Sequence, residues 1–116
     1  MSPKPEKNVD SLILERLFRT IEQRKGADPA SSYTAKLLAE GRAKVAKKLG
    51  EEATETVIAA TSETPAAVAR ESADLLYHLL VLWAATGVKP AEVWAELARR
   101  EGVSGLAEKA ARKKDD

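Results

Sequence analysis

The chain contains no cysteine, and this absence excludes a disulfide framework, thiolate metal sites and cysteine nucleophiles together. The first ten residues, MSPKPEKNVD, lack the apolar core of a secretory signal. No window of the chain approaches the roughly 20 apolar residues that a membrane-spanning helix needs. We therefore expect a cytoplasmic protein that has no membrane partner.

A strong excess of either charge is also missing. The 19 basic and 18 acidic residues leave a formal net charge of +1, so general affinity for nucleic acid is not predicted. Any electrostatic function must depend on how the charges are arranged. The length of 116 residues fits one domain, and 44% hydrophobic residues provide enough apolar surface for a core.

Aromatic residues make up only 4% of the chain, and alternation with a period of two is rare, so strands are not favoured. Leucine and alanine instead recur at helical spacing, which predicts an all-α fold. The stripe through Val45, Leu49, Ala53, Val57 and Ala60 is expected to face the core. The predicted helices run over about Ser11–Lys25, a short stretch ending at Gly41, Arg42–Ala60, Pro65–Thr86 and Pro90 to near Gly102.

The ends of the chain are polar and charged, so we divide the sequence into three parts. Residues 1–10 are predicted to be a flexible segment, residues 11–107 the folded domain, and residues 108–116 a charged tail that frays. Asp10 or Ser11 is the expected N-cap of the first helix, and Ser104 the expected cap of a short last helix.

Carboxylates recur with a spacing of three residues on two successive helices. Glu52 and Glu55 lie on the first helix, and Glu71 and Asp74 repeat the spacing on the second. A tight antiparallel hairpin would bring the two pairs face to face, where ionised carboxylates must be paired, protonated or bound to a metal. A cage of oxygen ligands suits Mg²⁺, with Mn²⁺ as a possible substitute.

Simpler interpretations of these residues stay open. The carboxylates could form salt bridges with nearby basic residues, and His78 could be a hydrogen-bonded core residue rather than a ligand. Trp83 and Trp94 fit a core or an interface better than a platform for a nucleobase. The basic residues that precede the carboxylates could bind phosphates or simply form a solvated helix face; they are Lys36, Arg42, Lys44, Lys47 and Lys48.

The pattern E-E-x-x-E at Glu51, Glu52 and Glu55, followed by E-x-x-D at Glu71 and Asp74, resembles the metal signature of MazG-like all-α nucleoside triphosphate pyrophosphatases. The flanking segments SYTAKLLAEGRAKVAKKLGEEATETVIAA and ESADLLYHLLVLW resemble the phosphoribosyl-ATP pyrophosphatase family of histidine biosynthesis. The similarity runs from about Leu14 to Leu97.

This resemblance implies Mg²⁺-dependent hydrolysis of 1-(5-phospho-β-D-ribosyl)-ATP to the AMP derivative and pyrophosphate, the second step of histidine biosynthesis. It implies a helical hairpin that forms a four-helix-bundle core in a homodimer. By motif position the metal ligands would be Glu52, Glu55, Glu71 and Asp74. Glu51 would bind a further ion or orient water, and it is our candidate for the catalytic proton acceptor. The implied phosphate-binding residues are Lys36, Lys47 and Lys48.

The helix predicted over Pro65–Thr86 also points to a dimer, because it is apolar around most of its circumference. Two other functions are compatible with the sequence. A house-cleaning pyrophosphatase acting on ordinary or damaged deoxynucleotides would use the same acidic cage. A non-enzymatic dimerisation module would explain the apolar helix but not the repeated acidic spacing.

Overall fold

The computed structural model describes residues 9–103 and 105–115, and this part of the chain is all-α with no strand. The prediction of an all-α fold is therefore confirmed. Six helices follow one another with short connections. They are α1 (Ile13–Gln23), α2 (Tyr33–Glu40), α3 (Arg42–Ser62), α4 (Pro65–Thr86), α5 (Pro90–Arg100) and α6 (Gly105–Asp115).

Helices α3 and α4 form the main packed pair of the fold. Their connection uses the predicted turn chemistry, since the Thr64 side chain accepts a hydrogen bond from the Ala67 amide at 3.2 Å and Pro65 occupies the first turn of α4. Helix α4 ends where Gly87 adopts a left-handed conformation with φ of 82°. The predicted bounds of α4 are therefore confirmed.

Helix α1 is shorter than predicted at both ends. Asp10 does not cap the helix; its Oδ1 accepts from the Leu12 amide at 2.9 Å and closes a turn before the first helical residue. The helix consequently starts at Ile13 with Leu12 as its N-cap, and Ser11 is not the cap either. At the other end α1 stops at Gln23, and a turn leads to Gly26, where φ is 76°.

The apolar core lies where α1, α2 and α3 pack against α4. Its fully buried members are Phe18, Ile21, Leu37, Val45, Leu80, Val81 and Ala84. The predicted stripe of α3 is wrong at its C-terminal end, because Val57 is 61% exposed whereas Ala59 is buried. The inward seam instead continues through Glu52 and Thr56 to Ala59, at the three- and four-residue steps of an antiparallel helix pair.

Helix α5 is joined to the rest of the fold through the two tryptophans. The Trp94 indole donates to Glu15 Oε1 at 2.6 Å, and its ring meets that of Trp83 edge to face with centroids 5.8 Å apart. Both rings are thus structural. None of the described helices is both long enough and apolar enough to cross a membrane.

Two expectations about the ends of the chain stay predictions. Ser104 and residues 1–8 of the proposed flexible segment lie outside the described residues. Helix α6 continues to Asp115 through the segment that we assigned to the tail, and the boundary between domain and tail stays a prediction.

Candidate metal centre

Three carboxylates converge where α3 and α4 face each other. One carboxylate oxygen from each of Glu52, Glu55 and Glu71 lies within 4.8 Å of the others. Glu52 and Glu71 are half-buried, whereas Glu55 is exposed. The hairpin therefore brings together three of the four carboxylates that the sequence indicated, and we call Glu52, Glu55 and Glu71 the acidic cluster.

Thr56 links α3 and α4 through hydrogen bonds beside the acidic cluster. Its hydroxyl donates to the Glu52 carbonyl at 2.8 Å and lies 3.3 Å from the Glu71 carbonyl on the facing helix. The side chain thus touches the backbone of two members of the acidic cluster. Thr56 was not predicted from the sequence, because the predicted inward stripe of α3 ran through Val57 instead.

The acidic cluster is electrostatically unsatisfied. Oxygen Oε2 of Glu52 and Oε2 of Glu71 are both buried and accept no hydrogen bond from the described residues. Burial raises the pKa of the Glu71 carboxyl, and its hydrogen bond and charge repulsion with Glu55 raise that pKa further. The charges of Asp74 and Glu52 act in the same direction. The cluster therefore favours an added positive charge or a proton.

Two predicted acidic residues stay apart from the cluster. Asp74 is exposed and is not among the carboxylates that meet within 4.8 Å, although its charge reaches Glu71. Glu51 is exposed too, and its Oε1 lies 3.7 Å from Lys48 Nζ. The ion pair that we weighed as the alternative to metal binding thus applies to Glu51 rather than to the cluster.

The three predicted phosphate-binding lysines lie on two helices. Lys36 is an exposed residue of α2, Lys47 is an exposed residue of α3, and Lys48 is half-buried beside it. Among them Lys48 is held by Glu51. Both α3 lysines lie within two turns of Glu52 on the N-terminal side, so they share a helix with the acidic cluster.

His78 is buried, as the alternative of a core residue predicted. Its Nδ1 lies 2.8 Å from the Asp74 carbonyl and its Nε2 lies 3.3 Å from the Tyr33 hydroxyl. With both ring nitrogens engaged, His78 has none left for a metal. Tyr77 lies beside it and is hydrogen-bonded to Thr34 of α2.

The donor set of the acidic cluster suits a hard divalent cation. All three groups are carboxylates, two of their oxygens are buried without a hydrogen-bond donor, and none of the residues described near them supplies a cation at ion-pair distance. Magnesium and similar ions prefer oxygen ligands and retain bound water when only a few protein ligands are present. The residues therefore fit the metal that their spacing predicted.

Comparison of the sequence with known proteins identifies a family. Residues 14–101 match the model of the phosphoribosyl-ATP pyrophosphohydrolase family. The chain belongs to this family. A phosphoribosyl-ATP pyrophosphatase from Azospirillum brasilense is 60% identical over 93% of this chain and 97% of its own length. The enzyme of the same name from Paramagnetospirillum magneticum is 64% identical over 90% of this chain and 96% of its own.

A third relative, from Caulobacter sp. strain K31, is 67% identical over 86% of this chain and 92% of its own length, and it has the same name. The family resemblance drawn from the sequence is thereby confirmed, and so is the prediction of a hydrolase. A purely structural dimerisation module is not compatible with this membership. The matched segment contains the five acidic residues of the predicted site, which are Glu51, Glu52, Glu55, Glu71 and Asp74.

Proposed function

We propose that the chain hydrolyses 1-(5-phospho-β-D-ribosyl)-ATP to 1-(5-phospho-β-D-ribosyl)-AMP and pyrophosphate in histidine biosynthesis, with Mg²⁺ as the cofactor and Mn²⁺ as a substitute. The observation that carries the proposal is the acidic cluster, with its carboxylate oxygens within 4.8 Å of one another, inside a segment that matches the pyrophosphohydrolase family. A cytoplasmic location fits a biosynthetic enzyme that consumes a nucleotide.

Glu52, Glu55 and Glu71 would hold the metal, and Asp74 would join them through a change of rotamer, since it is exposed and one turn from Glu71. When bound, the ion neutralises phosphoryl oxygens and lowers the pKa of a bound water. The raised pKa of Glu71 supports this assignment, because it reflects repulsion from the neighbouring carboxylates that a bound cation would relieve.

The remaining residues act on the substrate directly. Hydrolysis adds water across the anhydride bond between the α- and β-phosphates, so a base must accept one proton. We assign this role to Glu51, which is exposed and precedes Glu52 in the sequence. Lys36, Lys47 and Lys48 are assigned to the phosphates; Lys48 would exchange its contact with Glu51 for the substrate.

We also propose that the chain works as a homodimer in which two α3–α4 hairpins form a four-helix core. The exposed apolar residues of the hairpin support this assembly, since Val57 is 61%, Ile58 48% and Leu76 44% exposed. Light scattering at low micromolar concentration tests it. A stable, active species near 12.5 kDa would contradict the dimer.

The function is tested with a substrate panel and detection of released pyrophosphate. We expect phosphoribosyl-ATP to be cleaved with a much higher kcat/KM than ATP, dCTP or dUTP, and cleavage to need Mg²⁺ or Mn²⁺. A preference for dCTP or dUTP would instead indicate a house-cleaning pyrophosphatase. Full activity in excess EDTA would contradict the metal centre.

A further inference from the structure

Tyr33, Tyr77 and His78 form an aromatic cluster where the first turn of α2 meets α4. Tyr33 Oη lies 3.3 Å from His78 Nε2, and His78 Nδ1 lies 2.8 Å from the Asp74 carbonyl. Because a carbonyl can only accept, Nδ1 donates to Asp74, and Nε2 accepts from the Tyr33 hydroxyl. The tyrosine is thereby fixed at its polar end to a buried residue of α4.

The Tyr33 ring is held and yet accessible. It is stacked against Tyr77, with centroids 6.3 Å apart and an angle of 23° between the ring planes, but the residue is 52% exposed. An aromatic ring that is already ordered loses little conformational entropy when it binds a second flat group. Tyr33 therefore has the properties of a preformed stacking surface.

This surface is close to the acidic cluster along α4. His78 follows Glu71 by seven residues, which places it about 10 Å further along the axis and within about 20° of the same direction. The ring that His78 anchors consequently lies on the side of α4 that carries Glu71. A nucleotide is long enough to span this separation, so a substrate with its phosphates at the acidic cluster and its base directed along α4 would reach this ring.

We propose that Tyr33 is the stacking platform for the purine of the substrate and that it selects an adenine substituted at N1. The proposal rests on the proposed function and adds a residue that distinguishes phosphoribosyl-ATP from ATP. Alkylation at N1 makes the adenine amidine basic enough to carry a positive charge at neutral pH, whereas the adenine of ATP is neutral. The face of a tyrosine ring attracts a cationic group, so the ring favours the substituted base.

The first test compares Tyr33→Leu, which removes the ring, with Tyr33→Phe, which removes only the hydroxyl bond to His78. For phosphoribosyl-ATP we expect KM to rise about 5- to 30-fold in the leucine variant, with a smaller change in kcat. The phenylalanine variant should stay within about threefold of the wild type, because it keeps the ring face. Selectivity over ATP should fall in the leucine variant.

The second test measures binding without turnover. Calorimetry with 1-methyl-AMP and with AMP, each added to the protein in EDTA, reports on base recognition alone. We expect the wild type and Tyr33→Phe to bind 1-methyl-AMP more tightly than AMP, and Tyr33→Leu to bind both equally. Circular dichroism melting checks that each variant is folded.

The outcomes separate this proposal from the function on which it rests. If the wild type cleaves phosphoribosyl-ATP and Tyr33→Leu keeps its KM and selectivity, the platform is wrong and the function stands. If the wild type does not cleave phosphoribosyl-ATP, the function is wrong, and equal binding of the two monophosphates would overturn the platform as well. A loss of dimer mass in Tyr33→Leu would assign the ring to a subunit contact and also overturn it.

Discussion

Glu71 and Glu96 are both half-buried glutamates on helices, but their surroundings are opposite. Two arginines hold Glu96: Oε1 accepts from Arg99 at 2.7 Å and from Arg100 at 3.1 Å, which lowers the pKa of Glu96 to about 2. Glu71 has carboxylates around it, and its pKa is raised. Basic residues three or four positions along the same helix neutralise Glu96.

The comparison teaches that a half-buried carboxylate of this chain can be neutralised by basic residues of its own helix, as Glu96 is. No described residue makes such an ion pair with the acidic cluster although α3 carries several lysines, and Lys48 pairs with Glu51 instead. Uncompensated negative charge costs stability, and it persists where function requires it. The acidic cluster and the Glu96 clamp, meaning Glu96 with Arg99 and Arg100, should therefore respond in opposite ways to the same substitution.

The largest effect is expected for Glu52→Gln, which keeps the shape of the side chain and removes one ligand charge. Loss of several kcal/mol of transition-state stabilisation corresponds to about a 100-fold or greater fall in kcat/KM. Glu63→Gln, at the exposed C-terminal end of α3, is the matched control and should leave activity unchanged. Near-normal turnover by Glu52→Gln would remove Glu52 from the metal site.

A smaller effect is expected for Thr56→Val, which removes the hydroxyl between the Glu52 and Glu71 carbonyls without changing the volume. Groups that position metal ligands typically contribute 10- to 100-fold to metal affinity, so Mg²⁺ binding measured by calorimetry should weaken by about 10-fold. Thr56→Ser should retain most of the affinity. Thr61→Val, which deletes a hydroxyl that donates to the Val57 and Ile58 carbonyls of its own helix, should have no effect on Mg²⁺ binding.

Next in size is the pH dependence of the metal-free protein. A carboxyl whose pKa is raised on folding binds more protons in the native state, so its contribution to stability falls as pH rises above the ordinary value of 4.5. In EDTA we expect the wild type to melt at a lower temperature at pH 8 than at pH 4.5, because the Glu71 carboxyl is charged at pH 8. Glu71→Gln should reduce this difference and raise the melting temperature at pH 8; an unchanged pH profile would contradict the repulsion.

The smallest effect is expected for Glu96→Gln, and its sign is reversed. The lowered pKa of Glu96 contributes stability that is present above pH 4.5 and is lost as pH falls toward about 2. The variant should therefore melt slightly below the wild type at pH 6 and equal it near pH 2. Because solvent reaches all three side chains of the clamp, it screens their charges, and the shift in melting temperature is small. If Glu96→Gln instead raised the melting temperature at pH 6, the opposite behaviour that we expect for Glu71 and Glu96 would be contradicted.

Local sequence signals predicted the hairpin well, because Thr64, Pro65 and Gly87 act on their own turns. Acidic spacing indicated the members of the cluster, since neighbouring turns of one helix face the same way. It could not separate Asp74 from the others, because side-chain direction depends on the packing between α3 and α4. The inward position of Thr56 could not be predicted either, because the predicted stripe ran through Val57 and the true seam of α3 depends on how it packs against α4.

The contact between Tyr33 and His78 could not be predicted from helical periodicity. These residues are 45 positions apart, and their meeting depends on how α2 folds back onto α4. Spacing predicts neighbours on one helix, whereas contacts between helices require crossing angles and loop paths that a single sequence does not contain. The tryptophans show the same limit, since their placement in a core or an interface was predicted but the partner Glu15 was not.

The joint between α5 and the rest of the fold gives the molecule an optical reporter. The chain has 2 tryptophans, and both lie in this joint, with the Trp94 indole bonded to Glu15 and its ring against Trp83. Intrinsic fluorescence therefore follows the attachment of α5, while circular dichroism follows all six helices. If emission shifts to longer wavelength at a lower temperature than the loss of helicity, α5 detaches in a separate step. The α3–α4 hairpin, which carries the acidic cluster, then stays folded at temperatures at which α5 has already detached.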